Sequence, residues 1–324
     1  MSPDMLRRRF LETGGIVILL LVAVAAAAAI IEPRFLNRLN ILNVLRNFSF
    51  LAVPAIGQMI VMTTGGFDLS VGATMALASV VTAAAMAAMP DADGLQLLVP
   101  VALALASGAC VGLVNGTLVA RLSLSPFMVT LASLSIVAGI TLYYTQGIPI
   151  YGVSDAFVDA IGRGQVLGLP PVLLLAIVVI AIAIILQRRT ALGRHFYAVG
   201  GNVGAARLSG VRTHRVLITA YVLSGFLAAL TGVLITARIG SGQSTIGGTL
   251  GLETIAAAVI GGVSLRGGSG RAENVAMAAL CLSIIANAMN LTQIDSKFQT
   301  LVLGSVLIGA LAFDRIVQGR RANV

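Results

Sequence analysis

Long apolar runs recur along this chain from residue 14 to residue 316, separated by short polar or glycine- and proline-rich punctuation. A helix that crosses a bilayer needs about 20 mostly apolar residues, because its backbone groups must bond within the segment where no water can reach them. Ten runs meet that description: 14–31, 48–64, 69–89, 95–120, 126–145, 166–187, 216–237, 250–265, 272–291 and 298–316. Hydrophobic residues make up 58% of the chain and charged residues 10%, against about 25% charged in a soluble domain. So few charges could not cover a water-facing surface. The expected fold is all-α and polytopic, a single membrane domain of about ten transmembrane helices. Spans 3 and 8 can be full crossings or broken helices, since the eighth run is short and interrupted by glycine. Arg7, Arg8 and Arg9 precede the first run, which is expected to be an uncleaved anchor rather than a removed signal peptide.

Several chemistries are excluded by what is missing. The single lysine, Lys297, is followed by Phe298, so no phosphate-binding loop ending in Gly-Lys-Ser/Thr exists. Cys110 and Cys281 lie in apolar runs, and His195 and His214 share one polar loop without neighbouring metal-ligand partners. No enzyme, metal site or cofactor is expected.

Orientation follows from the distribution of basic residues. With the N-terminus inside, fifteen fall on the cytoplasmic side, six of them in one loop (Arg188, Arg189, Arg194, Arg207, Arg212, Arg215). Six fall outside: Arg34, Arg38, Arg46, Arg163, Arg238 and Lys297. Both termini are therefore expected in the cytoplasm. The net charge of +9 is accounted for by topology and needs no nucleic-acid partner. Ten spans split into two halves of five that run in opposite directions, an inverted repeat of the kind found in transporters. Identity between the aligned segments is near chance, so this expectation rests on topology alone. The chain is divided as 1–187, a loop at 188–215, and 216–324.

Two polar-side segments stand out. Residues 35–47 place Phe35, Leu36, Leu39, Leu42 and Leu45 on one helical face with asparagines opposite, the pattern of an interfacial helix on the outer surface. In the long loop, Thr190 can cap one short helix that Gly200 and Gly201 end, and Asn202 can cap a second that Gly210 ends. Its small residues, and its Ala198, Val199, Val203 and Leu208, point to a docking element.

At this loop the sequence resembles the permease subunits of ribose-type sugar ATP-binding-cassette (ABC) importers. The stretches that carry the resemblance are Gly65-Gly-Phe-Asp-Leu-Ser-Val-Gly72, Gly112-Leu-Val-Asn-Gly116, Pro126-Phe-Met-Val-Thr-Leu-Ala132, the loop itself and Ala257-Ala-Val-Ile-Gly-Gly262. Phe67 stands where the family pattern has Ile. The resemblance implies a multi-pass protein of the bacterial inner membrane and a dimer of permease subunits. It also implies two cytoplasmic ATPase subunits and an extracytoplasmic sugar-binding protein. It assigns the ATPase contact to Arg194, Ala198, Gly200, Asn202, Ala205, Ala206 and Gly210. Family members carry pentoses, hexoses and related sugars, and wider relatives carry nucleosides or branched-chain amino acids.

Ionisable groups inside spans suggest function, and Asp68 and Glu253 qualify. With Gly65, Gly66, Ser70 and Asn115 they are the candidates for the translocation pathway or its helix breaks. Asp68 reads first as an N-cap fixing the break between spans 2 and 3, with proton coupling as the other reading; Glu253 reads equally as cap or pathway residue. Gln58, Asn115, Asn287 and Asn290 could bond a sugar, and Phe48, Phe50 and Phe127 could stack on one, although such polar residues more often bond a neighbouring helix. The competing function is a secondary transporter of a small polar solute, which two acids support only thinly.

Overall fold

The computed structural model describes residues 15–89 and 94–295, together with 298, 301, 302, 304, 305, 308 and 309. Most of the run at 298–316 thus lies outside the described residues. The described chain is helical: α1 Gly15–Ile31, α2 Arg38–Thr63, α3 Val71–Ala87, α4 Leu98–Leu122, α5 Pro126–Thr145, α6 Pro171–Arg189, α7 Ala191–Gly201, α8 Val203–Leu208, α9 Thr213–Ile239, α10 Leu250–Ile260 and α11 Ala272–Leu291. Among the described residues, six helices are long and apolar enough to cross a membrane: α2, α4, α5, α6, α9 and α11. Three shorter apolar helices accompany them, at Val17–Ile31, Val71–Ala87 and Leu250–Ile260.

Helix α2 is the central post. From Leu51 to Thr63 every residue is buried, and it packs against α6, α9, α10 and α11. Such all-round burial requires an all-round apolar sequence, as its run supplies. The expected separate interfacial helix at 35–47 is corrected: a 3-10 turn, Pro33–Leu36, leads directly into α2. The Asn37 side chain caps α2 by accepting from the Leu39 N–H at 2.9 Å, and no break follows at Asn47. Nor do the apolar residues share one environment, for Phe35 and Leu42 are buried while Leu36 and Leu39 are exposed. Asn40 points inward. Its amide exchanges two 2.9 Å hydrogen bonds with that of Asn287 on α11, so each satisfies a polar group that lipid could not.

The most extensive helix pair is α4 on α9. Gly108, Gly112 and Gly116 recur every fourth residue and form a flat stripe on α4. A Cβ at Gly112 would stand 2.2 Å from the Tyr221 carbonyl oxygen, and one at Gly108 would stand 2.4 Å from that of Gly225. Small residues at this spacing let two backbones approach closely, which is how helices associate where hydrophobic burial gives no drive.

Candidate functional site

The segment between α2 and α3 holds the sequence-predicted Gly65, Gly66, Asp68 and Ser70. Gly65 reverses the chain with φ +86°. Gly66 lies against Tyr221, where a Cβ would come within 2.5 Å of the phenolic oxygen. That hydroxyl donates to the Phe67 carbonyl at 3.2 Å. Asp68 is 1% exposed. Its Oδ1 accepts from the Ser70 N–H at 3.0 Å and the Ser70 hydroxyl at 2.6 Å. Its Oδ2 accepts from the Ser224 hydroxyl on α9 at 2.7 Å.

The expectation that Asp68 is the N-cap of the following helix is corrected by this geometry. Ser70 occupies the cap position of α3 and makes no side-chain cap bond. Asp68 closes a local turn with one oxygen and ties the break to α9 with the other. The chain of bonds continues outward. Asn115 on α4 donates its amide to the Ser70 hydroxyl oxygen at 3.0 Å, and the Ser133 hydroxyl on α5 donates to the Asn115 carbonyl oxygen. A buried carboxylate without compensation is expensive; three donors, all from Ser70 and Ser224, compensate this one. Four elements are thereby fixed around one short segment.

Glu253 is half-buried in the first turn of α10, where its N–H donates to the Thr249 carbonyl at 3.1 Å. The two glycine-rich breaks touch: a Cβ on Gly72 would lie 2.2 Å from the Gly247 carbonyl oxygen. The residues expected to meet a sugar sit in different surroundings. Asn287 is engaged by Asn40, Phe48 is buried and Phe127 is exposed, and Gln58 is fully enclosed, with neither end of its amide hydrogen-bonded among the described residues.

The loop at 188–215 folds as its capping residues require. The Thr190 hydroxyl oxygen accepts from the Gly193 N–H at 3.0 Å, and the Asn202 side chain accepts from the Ala205 N–H at 2.9 Å. Gly210 ends the second helix with φ +81°. Arg194, Ala198, Asn202, Ala205 and Gly210 are exposed, as is Leu208 at 92%. Ala206 does not share that face; it is buried in the core with Phe196 and Val199. The Tyr197 hydroxyl donates to the Gly270 carbonyl at 2.6 Å, and Arg188 pairs with Glu273. Burial first, and the Glu273 carboxylate second, raise the Tyr197 phenol above its ordinary pKa. Gln187, Arg188, Tyr197, Ser269, Arg271 and Glu273 line a cavity of about 450 Å³ beside α7.

Residues 40–311 match the family described as the permease component of branched-chain amino acid transport systems. The chain belongs to that permease family. Its relatives include the ribose import permease protein of Bacillus subtilis, 37% identical over 88% of each chain. They also include the D-allose transport system permease protein of Escherichia coli, 35% identical over 87% of this chain and 85% of the relative. The galactose/methyl galactoside import permease protein of Escherichia coli is 34% identical over 90% of each. No solved structure matches the permease. A transport permease component, not an enzyme, is what these relatives make of the chain.

Sequence reasoning missed Ser133, Tyr221 and Ser224, the partners of the Asp68 segment in the permease. Nothing local marks a serine on an apolar helix as the donor to a carboxylate on another. The four-residue spacing of Gly108, Gly112 and Gly116 is legible as a close-packing face, but it does not say that the helix meeting it is α9, which carries Tyr221 and Ser224.

Proposed function

We propose that the permease is the transmembrane subunit of an ABC importer that moves a monosaccharide into the cytoplasm. The observation that carries this is the near full-length similarity to permeases named for ribose, allose and galactose import. Energy comes from separate ATPase subunits, since the chain has no phosphate-binding loop. Substrate is delivered by an extracytoplasmic sugar-binding protein, and a second permease subunit completes the pathway. The exposed side of α7 and α8, with Arg194, Ala198, Asn202, Ala205 and Gly210, meets the ATPase. Asp68, Ser70 and Asn115 hold the helix break at the pathway.

The protein is a multi-pass component of the inner membrane with both ends in the cytoplasm. Six long helices, three shorter ones and the run at 298–316 support ten membrane segments; that these form two inverted halves follows only from an even split into five and five. Contacts between segments assigned to one side support their grouping, while the choice of cytoplasmic side rests on the basic residues: Thr63 meets Gly268, and Ile150 bridges to Gly242.

The test is uptake of labelled ribose, allose and galactose into vesicles holding the permease, its ATPase and its binding protein. ATP-dependent uptake of at least one sugar is expected. Uptake of leucine but of no sugar would favour the branched-chain amino acid reading that the family description raises. Uptake driven by a proton gradient without ATP would favour a secondary transporter.

A further inference from the structure

Two chain reversals meet the C-terminal turn of α7. Gly65 follows α2 with φ +86°, Gly267 and Gly268 turn the loop after α10 with φ +84° and +76°, and Gly200 stands near the end of α7. The Gly268 N–H donates to the Thr63 carbonyl at 2.9 Å. A Cβ at Gly200 would fall 1.8 Å from that same carbonyl oxygen and 2.6 Å from the Gly268 nitrogen. One at Gly267 would fall 2.8 Å from the Gly65 nitrogen and 2.9 Å from the Gly200 oxygen. The three segments therefore touch backbone to backbone, with hydrogen atoms alone between them.

Contacts of this kind transmit displacement. A long side chain could change rotamer and absorb a shift, whereas packed backbone has no such freedom. The route onward is short. Gly65 adjoins Gly66, which lies against Tyr221, and the Phe67 carbonyl and the Asp68 carboxylate are bonded to Tyr221 and Ser224. Tyr197 pins the far end of the same loop through Gly270.

We infer that Gly267, with Gly65 and Gly200, is the joint through which displacement of α7 reaches the helix break before Asp68. Gly267 is then a positioning residue for transport. It binds neither nucleotide nor sugar, and its place is to keep the ATPase-facing helix and the break moving as one. The inference rests on the proposal that α7 and α8 dock on the ATPase.

The experiment uses the full complex in vesicles and compares Gly267→Ala with Gly262→Ala. Gly262 has nearly the same left-handed backbone, φ +79°, but a Cβ there would meet nothing within 4 Å. The two variants share the conformational strain and differ in the wedge. Gly267→Ala is expected to keep co-purifying with the ATPase while transporting about tenfold to a hundredfold less sugar per ATP hydrolysed, as a misplacement remote from the reacting groups can. Gly262→Ala should stay within about twofold of the parent, since loop strain alone leaves the contact intact. A second readout needs no sugar: ATP-dependent maleimide labelling of Leu69→Cys, in a Cys110→Ser, Cys281→Ser background, should disappear with Gly267→Ala and persist with Gly262→Ala. Equal behaviour of the two variants would overturn the joint. Should Gly267→Ala not accumulate, Tyr197→Phe loosens the loop without adding an atom, and unchanged coupling there would overturn it equally. ATP-dependent labelling in the parent without sugar uptake would count against the monosaccharide reading and leave the joint supported.

Discussion

The hydroxyl of Ser224 donates to Asp68 Oδ2 at 2.7 Å across 156 residues of sequence. This bond holds the break between α2 and α3 against α9, and it makes the carboxylate a tether between elements. The other oxygen serves the local turn through Ser70, so both halves of the group are occupied. A substitution at Asp68 therefore acts on local backbone and helix packing at once.

Asp68→Asn should retain a substantial part of transport, because one amide oxygen can still accept from Ser70 or Ser224. Asp68→Ala leaves three buried donors without their acceptor, each costing about 1–3 kcal/mol. Thermal unfolding in detergent and sugar uptake, normalised to inserted protein, should both rank Ala well below Asn. Equal loss of uptake in both variants at normal stability would revive a proton-carrying role.

Neighbouring alanines should give different phenotypes. Ala205 is exposed and Ala206 is 5% exposed within the core. Ala205→Glu is expected to leave expression intact and abolish substrate-stimulated ATP turnover in the complex. Ala206→Glu should fail earlier, as unfolded or degraded protein, because burying an unpaired carboxylate costs several kcal/mol. Membrane yield and ATPase assays separate the two.

The Asn40–Asn287 pair should behave as a unit. Asn40→Leu strands the Asn287 amide, and the double change to leucine should recover part of the loss. The coupling in a double-mutant cycle is expected to be about 0.5–2 kcal/mol, in the range of interhelical hydrogen bonds in membranes. Additive losses would mean that the two amides do not depend on each other.

Sidedness is checked by cysteine labelling on the Cys110→Ser, Cys281→Ser background. An impermeant reagent added outside is expected to modify a cysteine at Asp155 and to miss one at Arg207. The reverse pattern would invert the orientation drawn from the basic residues.

Much of the candidate site was readable where its cause is local. Thr190 and Asn202 cap the helices that follow them because a cap needs only a side-chain oxygen and the next turn of backbone. Residues 35–47 show the limit of such reading. Their periodicity gave a helix correctly, but periodicity does not say where a helix stops, and the segment runs on into α2. Asn40, assigned to the polar face, is turned inward because Asn287 waits there on α11.

The sequence by itself determined that this chain is a helical membrane protein with no phosphate-binding loop of the Gly-Lys-Ser/Thr type in it, and where its capped loop helices lie. Those properties follow from the hydropathy of contiguous stretches, the absence of a usable lysine, and side chains acting on their own backbone. Only the tertiary structure decided that Asp68 tethers α9, that Ala206 faces the core while Ala205 faces out, and that Gly65, Gly200 and Gly267 meet. Each of those depends on which distant segment arrives at a given surface. That arrival is set by the packing of whole helices, such as the glycine stripe of α4 on α9, whose partner no local pattern names.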